Sequence, residues 1–228
     1  MQDATWQDKL VDQMTALQPG EVLQQVRNGL AAGEDPLVVV GLCQEGLRHV
    51  GDLYEKGEYF LAALIMAGEI FRQAMDLIVP HLAVATPGLD CRVLLGTVQG
   101  DIHDMGKNLL GALLRCHGFS VQDLGVNVAP AEFLRQVEAN RPDVVGLSGL
   151  LTTSHAPMRE AVHLIRASLP PELQPKGIII GGAAVNEQVR QFVGADYSAT
   201  DAMHGVRLCQ QIMAQAVCPE PQIPASVD

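Results

Sequence analysis

The spacing of apolar positions divides the chain into two stretches with different periods. Up to about residue 82 the apolar residues recur every three or four positions, the spacing of one helix face. Leu10, Val11, Met14 and Leu17 share a face, as do Val22, Leu23, Val26 and Leu30, with Pro19-Gly20 between the two runs. Asp35-Pro36 predicts an N-cap and first helical residue for a third helix reaching about Tyr54. A fourth helix follows "EKGE", with Leu61, Leu64, Ile65, Gly68, Phe71, Met75 and Ile78 at helical spacing. Four such segments predict a small antiparallel helical bundle over residues 1–82.

After "VATPGLD" the pattern changes to short apolar runs alternating with amphipathic segments. The runs are "RVLLGTV" (92–98), "FSVQDL" (119–124), "DVVGLSG" (143–149), "GIIIGG" (177–182) and a weaker "ADYSAT" (195–200). Helix candidates lie between and after them, near 106–117, 130–140, 155–168, 185–193 and 202–215. Five strands alternating with helices predict a doubly wound, flavodoxin-like or Rossmann-like parallel sheet, with its ligand crevice beyond the carboxyl ends of the strands. The expected layout is a helical domain over 1–82, a linker over 83–90 and an α/β domain over 91–215. A proline-rich, loose tail over 216–228 completes it.

Composition narrows the function. The 228 residues are 48% hydrophobic and 18% charged, enough for a soluble protein with one large core or two modest ones. A net charge of -11 without any Lys/Arg run argues against nucleic acid and against an anionic membrane surface. The N-terminus lacks a basic segment followed by an apolar stretch, and no apolar run is long enough to span a bilayer, so a cytoplasmic location is expected. The five cysteines, Cys43, Cys91, Cys116, Cys209 and Cys218, lack C-x-x-C spacing, which predicts buried thiols rather than zinc or a disulfide framework.

The candidate chemistry lies in "VQGDIHDMGKNLL" (98–110), just after the first predicted strand. A phosphate loop requires G-x-x-x-x-G-K-[ST], with four residues between the glycines and a hydroxyl after the lysine. Here five residues separate Gly100 from Gly106, Asn108 follows Lys107, and Asp101 and Asp104 would repel a phosphate. Asp101 and His103 instead project to one side of an extended strand exit, where the carboxylate accepts from one ring nitrogen and turns the other outward. A carboxylate behind an imidazole fixes its tautomer, as behind metal-ligating histidines. No second ligand cluster appears nearby, so any metal would arrive already held in a macrocycle. His49, His81, His117, His163 and His204 lack comparable context, and His155, beside Ser154, is expected to face solvent.

Asp101-x-His103-x-x-Gly106 is followed after forty-one residues by Ser148-x-Leu150, and later by Gly181-Gly182. This set resembles the D-x-H-x-x-G, S-x-L, G-G fingerprint of cobalamin-binding domains, with the first interval as in cobalamin-dependent methionine synthase. The resemblance implies that His103 replaces the dimethylbenzimidazole base as the lower ligand of cobalt. The displaced nucleotide tail would run along Ser148 and Leu150 and approach the backbone at Gly181-Gly182. Gly96 and Gly146 would leave room for it, unless tight packing accounts for them. The resemblance also places Ser154 in a relay with Asp101 and His103, where helix N-capping is its other role. Gly106 would let the following helix start close to the corrin.

"DLYEKGEYFLAALIMAGEIF" (52–71) resembles the cap of methionine synthase and of the small corrinoid proteins of methyltransferase systems. Tyr54, Phe60, Leu61 and Leu64 match the side chains that cover the upper corrin face. Cap plus cobalamin domain implies a methyl carrier between a substrate:corrinoid methyltransferase and a second methyltransferase acting on tetrahydrofolate or coenzyme M. A reductive activator is a further implied partner. Competing readings are the small subunit of a cobalamin-dependent mutase, a B12-based sensor, and a flavodoxin-like domain without corrinoid. The helical stretch argues against the first, the acidic charge against the second and the three motifs together against the third.

Overall fold

A computed structural model describes residues 5–82 and 91–217. The chain divides into two compact units, Met1–Ala83 and Val84–Asp228. The expected linker, 83–90, lies outside the described residues, as does the expected tail beyond its first two positions.

The first unit contains α1 (Trp6–Thr15), α2 (Pro19–Ala31), α3 (Pro36–Glu55) and α4 (Leu61–Ile78). Local chemistry sets the starts. Thr5 and Asp8 form a reciprocal capping box ahead of α1. Asp35 accepts from Leu37 N at 2.9 Å, with Pro36 as the first residue of α3. Pro19 likewise opens α2 rather than standing in a separating turn. α1 packs on α2 and α3, and α4 on α2 and α3. Leu10, Met14, Val22, Val26, Val39, Cys43, Val50, Ile70, Phe71 and Ile78 fill the core. A Cβ on Gly46 would stand 2.5 Å from Met14 Cβ, so α3 meets α1 only with glycine there.

Two expectations for this unit change. Leu17 does not extend the buried face of α1: the helix ends at Thr15, and Leu17 is half-buried with φ +57°. In α4 the core face is Ala67, Ile70, Phe71, Ala74 and Ile78, whereas Leu61 and Ile65 are exposed. The helix is apolar on two sides, and only one of them is buried.

The second unit runs β1 (Arg92–Thr97), α5 (Met105–Cys116), β2 (Ser120–Asp123), α6 (Pro130–Asn140), β3 (Val144–Ser148), α7 (His155–Ser168), β4 (Gly177–Gly181), α8 (Glu187–Val193), β5 (Tyr197–Ala199) and α9 (Ala202–Val217). All strand pairings are parallel, in the order β2-β1-β3-β4-β5. The strands alternate their side chains between two cores. Leu94, Val145, Leu147, Ile178 and Ile180 pack with Phe133, Met158 and Ile165 of α6 and α7. On the other side α5 packs against α9. The buried thiols of Cys43 and Cys209 are pushed up to about 12 by desolvation, helped at Cys209 by Cys91, which keeps them unreactive.

Register aligns the strand ends. Thr97 pairs with Ser148, Ser148 with Gly181 and Gly181 with Ala199. Because β1 is followed across the sheet by β2 on one side and β3 on the other, the switch point lies at β1/β3, where such folds bind ligands. Gly96 and Gly146 do not leave room there. A Cβ on Gly96 would lie 2.7 Å from Phe133 Cζ, and one on Gly146 would lie 2.5 Å from Leu95 Cδ2. Protein side chains already occupy both spaces.

Candidate functional site

The site begins where β1 ends. Val98 N donates to Ser148 O at 3.0 Å, Gly100 turns the chain with φ +82°, and Asp101 is carried back toward the β3 exit. There the Asp101 carboxylate, 1% exposed, collects five donors. Oδ1 accepts from His103 N at 3.0 Å and from the His103 ring Nδ1 at 2.7 Å. Oδ2 accepts from Leu150 N at 2.7 Å, Leu151 N at 3.1 Å and Ser154 Oγ at 2.6 Å. Burial pushes the pKa of this carboxyl up, but bonds from Ser154, His103 and Leu151 outweigh it and hold the group well below the carboxylate range.

An ionised carboxylate only accepts, so Nδ1 of His103 carries the hydrogen, and in the neutral ring the lone pair is then on Nε2. The His103 side chain is 48% exposed. The arrangement therefore presents one oriented imidazole nitrogen at the carboxyl edge of the sheet. Ser154 stands at the N-cap of α7 yet makes no capping bond; its hydroxyl donates to Asp101 instead. His155, expected in solvent, is half-buried, with Nε2 enclosed and without a hydrogen-bond partner.

The remaining sequence candidates divide by what surrounds them. Ser148 is half-buried and Leu150 is 40% exposed at the end of β3. Gly182, φ +139°, is glycine for a reason internal to the chain: a Cβ there would lie 1.9 Å from Gly149 O. At Gly181 the nearest atoms, of Ala199, lie at ordinary contact distance. A Cβ on Gly106, in the first turn of α5, meets nothing within 4 Å. In the other unit, Tyr54 is 43%, Phe60 79% and Leu61 62% exposed, and Leu64 is half-buried. Ile65 and Met66 extend this apolar surface.

The family described as the B12 binding domain matches residues 91–207, and a second family of the same description matches residues 6–78. The chain belongs to the B12-binding corrinoid proteins. It is 32% identical to trimethylamine corrinoid protein 2 of Methanosarcina acetivorans, over 82% of this chain and 88% of that protein. It is 30% identical to methionine synthase of Mycobacterium leprae, over 82% of this chain but 17% of that longer protein. The structure of the Methanosarcina barkeri monomethylamine corrinoid protein matches with a TM-score of 0.82 at 25% identity, covering 90% of this chain and 97% of that one.

In this corrinoid protein the residues present suit a metal brought in by a macrocycle. Among the described residues no group of three or more His, Cys, Asp or Glu is placed to hold a metal ion, while His103 offers a single nitrogen. The space beside Gly106 is open, although neither strain nor packing demands glycine there. Cobalamin is the cofactor that this family and this donor set imply.

Several residues that hold the site are outside the motif. Thr97, fully buried, donates from Oγ1 to His103 O at 3.1 Å. Gly149 lets Ser154 close in, since a Cβ would meet Ser154 Cβ at 2.6 Å and Met158 Cε at 2.8 Å. Lys107, 4% exposed, pairs with Asp123 at the end of β2 and donates to Asn108 Oδ1 at 2.8 Å. Asp104 accepts from the Asn108 side chain at 3.0 Å. The polar threonine inside "RVLLGTV" was a visible signal for Thr97; the other contacts depend on which loops meet.

Proposed function

We propose that this protein is a methyl carrier, taking a methyl group from a substrate:corrinoid methyltransferase and delivering it to a second methyltransferase that uses tetrahydrofolate or coenzyme M. The observation that carries this reading is the Asp101, His103 and Ser154 chain, which aims Nε2 outward from a buried, fully bonded carboxylate. Its similarity to proteins named for trimethylamine and dimethylamine points to methylated amines as the donor class. When bound, the corrinoid supplies a cobalt centre that accepts and gives up the methyl group.

The chain's own residues have distinct tasks in this reading. His103 Nε2 would hold the cobalt, with Asp101 fixing the ring through Nδ1–H. Asp101 Oδ1, 2.7 Å from Nδ1, would keep the ring oriented whether or not Nε2 holds the metal. Ser154 donates to the other carboxylate oxygen at 2.6 Å and holds the carboxylate in place. Ser148, Leu150, Gly181 and Gly182 line the approach for the nucleotide tail, and Gly106 leaves space at the start of α5. Tyr54, Phe60, Leu61 and Leu64 would supply the apolar side chains that keep water from the bound corrinoid. A reductive activator restores protein that has lost its methyl-accepting oxidation state, and the cytoplasm is the proposed location. Among the described residues no helix is long and apolar enough to cross a membrane.

The test is reconstitution with cobalamin followed by EPR of the cobalt(II) form. Nitrogen coupling from histidine is expected in the wild type and should vanish in His103→Ala. Methylated holoprotein should then lose its methyl group to a tetrahydrofolate or coenzyme M methyltransferase. Inertness toward both, with isomerase activity on an acyl-CoA or amino acid, would overturn the carrier reading in favour of a mutase subunit.

A further inference from the structure

Two loops grip the segment that carries His103, and they act on different parts of it. The β3 exit holds the Asp101 side chain through Leu150 N, Leu151 N and Ser154 Oγ. The β2 exit holds the backbone, through a residue that belongs to none of the three sequence motifs. Asn127 accepts from Gly100 N with its side-chain Oδ1 at 2.8 Å and donates its own N–H to Asp101 O at 3.0 Å. Both peptide groups flanking the Gly100 turn are thereby tied to one side chain and its backbone.

Asn127 reaches both groups because its backbone is left-handed, at φ +54°. Asparagine tolerates that conformation better than most residues other than glycine. The loop that presents it is itself anchored. Leu124 N donates to Leu95 O at 2.8 Å, Thr97 N donates to Gly125 O at 2.9 Å and Val128 N donates to Thr97 O at 2.9 Å. Asp123 accepts from Gly125 N with one oxygen and from buried Lys107 with the other. The anchor of Asn127 thus reaches back to α5, on the far side of His103.

The bond from Nδ1 to Asp101 fixes the distance of the ring from the carboxylate but leaves rotation about that bond. The direction of Nε2 then depends on where the backbone of 100–103 lies. Thr97 Oγ1 fixes the end of that turn at His103 O, and Asn127 fixes its start. We propose that Asn127 is a positioning residue for the lower cobalt ligand, clamping the Gly100-Asp101 backbone so that His103 Nε2 points along one line. This rests on the reading of His103 as that ligand.

The test separates side chain from backbone. Asn127→Gly keeps the left-handed conformation and the backbone N–H bond to Asp101 O but removes the side-chain half of the clamp; Asn127→Asp keeps an Oδ acceptor for Gly100 N. Each is reconstituted with cobalamin, melted, and examined as the cobalt(II) form by EPR alongside wild type and His103→Ala. Asn127→Gly should stay folded and bind cobalamin, while the ratio of histidine-coupled to uncoupled cobalt falls about tenfold, the scale of losing a group that orients a metal ligand. Asn127→Asp should restore most of it. An undiminished ratio in Asn127→Gly, or loss of its fold, would overturn the positioning role while leaving the ligand reading intact. Absence of histidine coupling in the wild type would overturn both.

Discussion

Both units leave apolar side chains in solvent, Ile102 at 72% among them in the second, but they differ in where polarity lies. In the helical unit the anomaly is apolar surface in solvent, with Phe60 79%, Ile65 67% and Leu61 62% exposed at the start of α4. In the α/β unit it is polarity inside: Thr97, Asp101, Lys107 and Ser154 are the buried polar or charged side chains among the described residues. All four are hydrogen-bonded: Thr97, Asp101 and Ser154 stand at the β1 and β3 exits, and Lys107 reaches from α5 to the β2 exit. Apolar contact is non-directional, whereas a buried polar network works only at fixed angles and distances. One unit thus exposes an apolar surface, and the other holds an oriented polar group. Substitutions in the second should damage the fold; those in the first should leave it intact and still cost function.

The largest effect is expected from Asp101→Ala. Five donors lose their acceptor in a buried place, which costs roughly 3 kcal/mol or more. Urea denaturation checks this at neutral pH. The sign with pH follows from the lowered folded value: the Asp101 contribution is fully present above its ordinary value of 3.8 and is lost as pH falls through the folded one. The stability gap between wild type and Asp101→Ala should stay level near neutrality and close on acidification below about pH 4. A gap that instead closes on the alkaline side would mean that some other group carries it.

Gly149→Ala comes next. Its Cβ would intrude to 2.6 Å on Ser154 Cβ and 2.8 Å on Met158 Cε, and overpacking of this kind costs about 1–3 kcal/mol. Ser154 must shift, so the histidine-coupled EPR signal of cobalamin-loaded protein should weaken as stability falls. An unchanged melting temperature would show that α7 yields more easily than its buried contacts imply. Lys107→Met should cost less, about 1–2 kcal/mol, because Asp123 is 29% exposed and water satisfies it in part. Chemical denaturation of Lys107→Met against Lys107→Arg distinguishes loss of charge from loss of shape.

The contrast also separates what was legible in the sequence from what was not. Alternating strands and helices were plain from spacing, because each element has one period and Gly or Pro at its ends. The helical unit was harder: α4 is apolar on two sides, and periodicity alone does not say which side faces the core. At the site, Asp101 and His103 stand two residues apart, so local geometry brings them together. Ser154 is fifty-three positions from Asp101, and only the resemblance to a known motif joined them. Asn127, Gly149 and the amides of Leu150 and Leu151 act through juxtaposed loops, and residue type carries little trace of that. His155 was misplaced for the same reason, since its burial depends on neighbours distant in sequence.

The smallest effect on stability, and the sharpest test of the contrast, belongs to the double substitution Phe60→Ser and Leu61→Ser. Both side chains stand largely in solvent, so their loss should change unfolding free energy by no more than about 0.5 kcal/mol each. Phe60 precedes the first turn of α4 and Leu61 begins it, so the interior of the helix is untouched. If the two residues only decorate the surface, cobalamin-loaded protein will behave as wild type. If they cover the corrin, the methylated variant should lose its methyl group to water, light or oxygen several times faster, followed by the visible spectrum. A variant that melts like wild type yet fails to protect the carbon–cobalt bond would assign the exposed apolar face of α4 to the cofactor. A variant that unfolds more readily would instead mean that Phe60 and Leu61 pack against protein, and the division of labour between the units would fall with it.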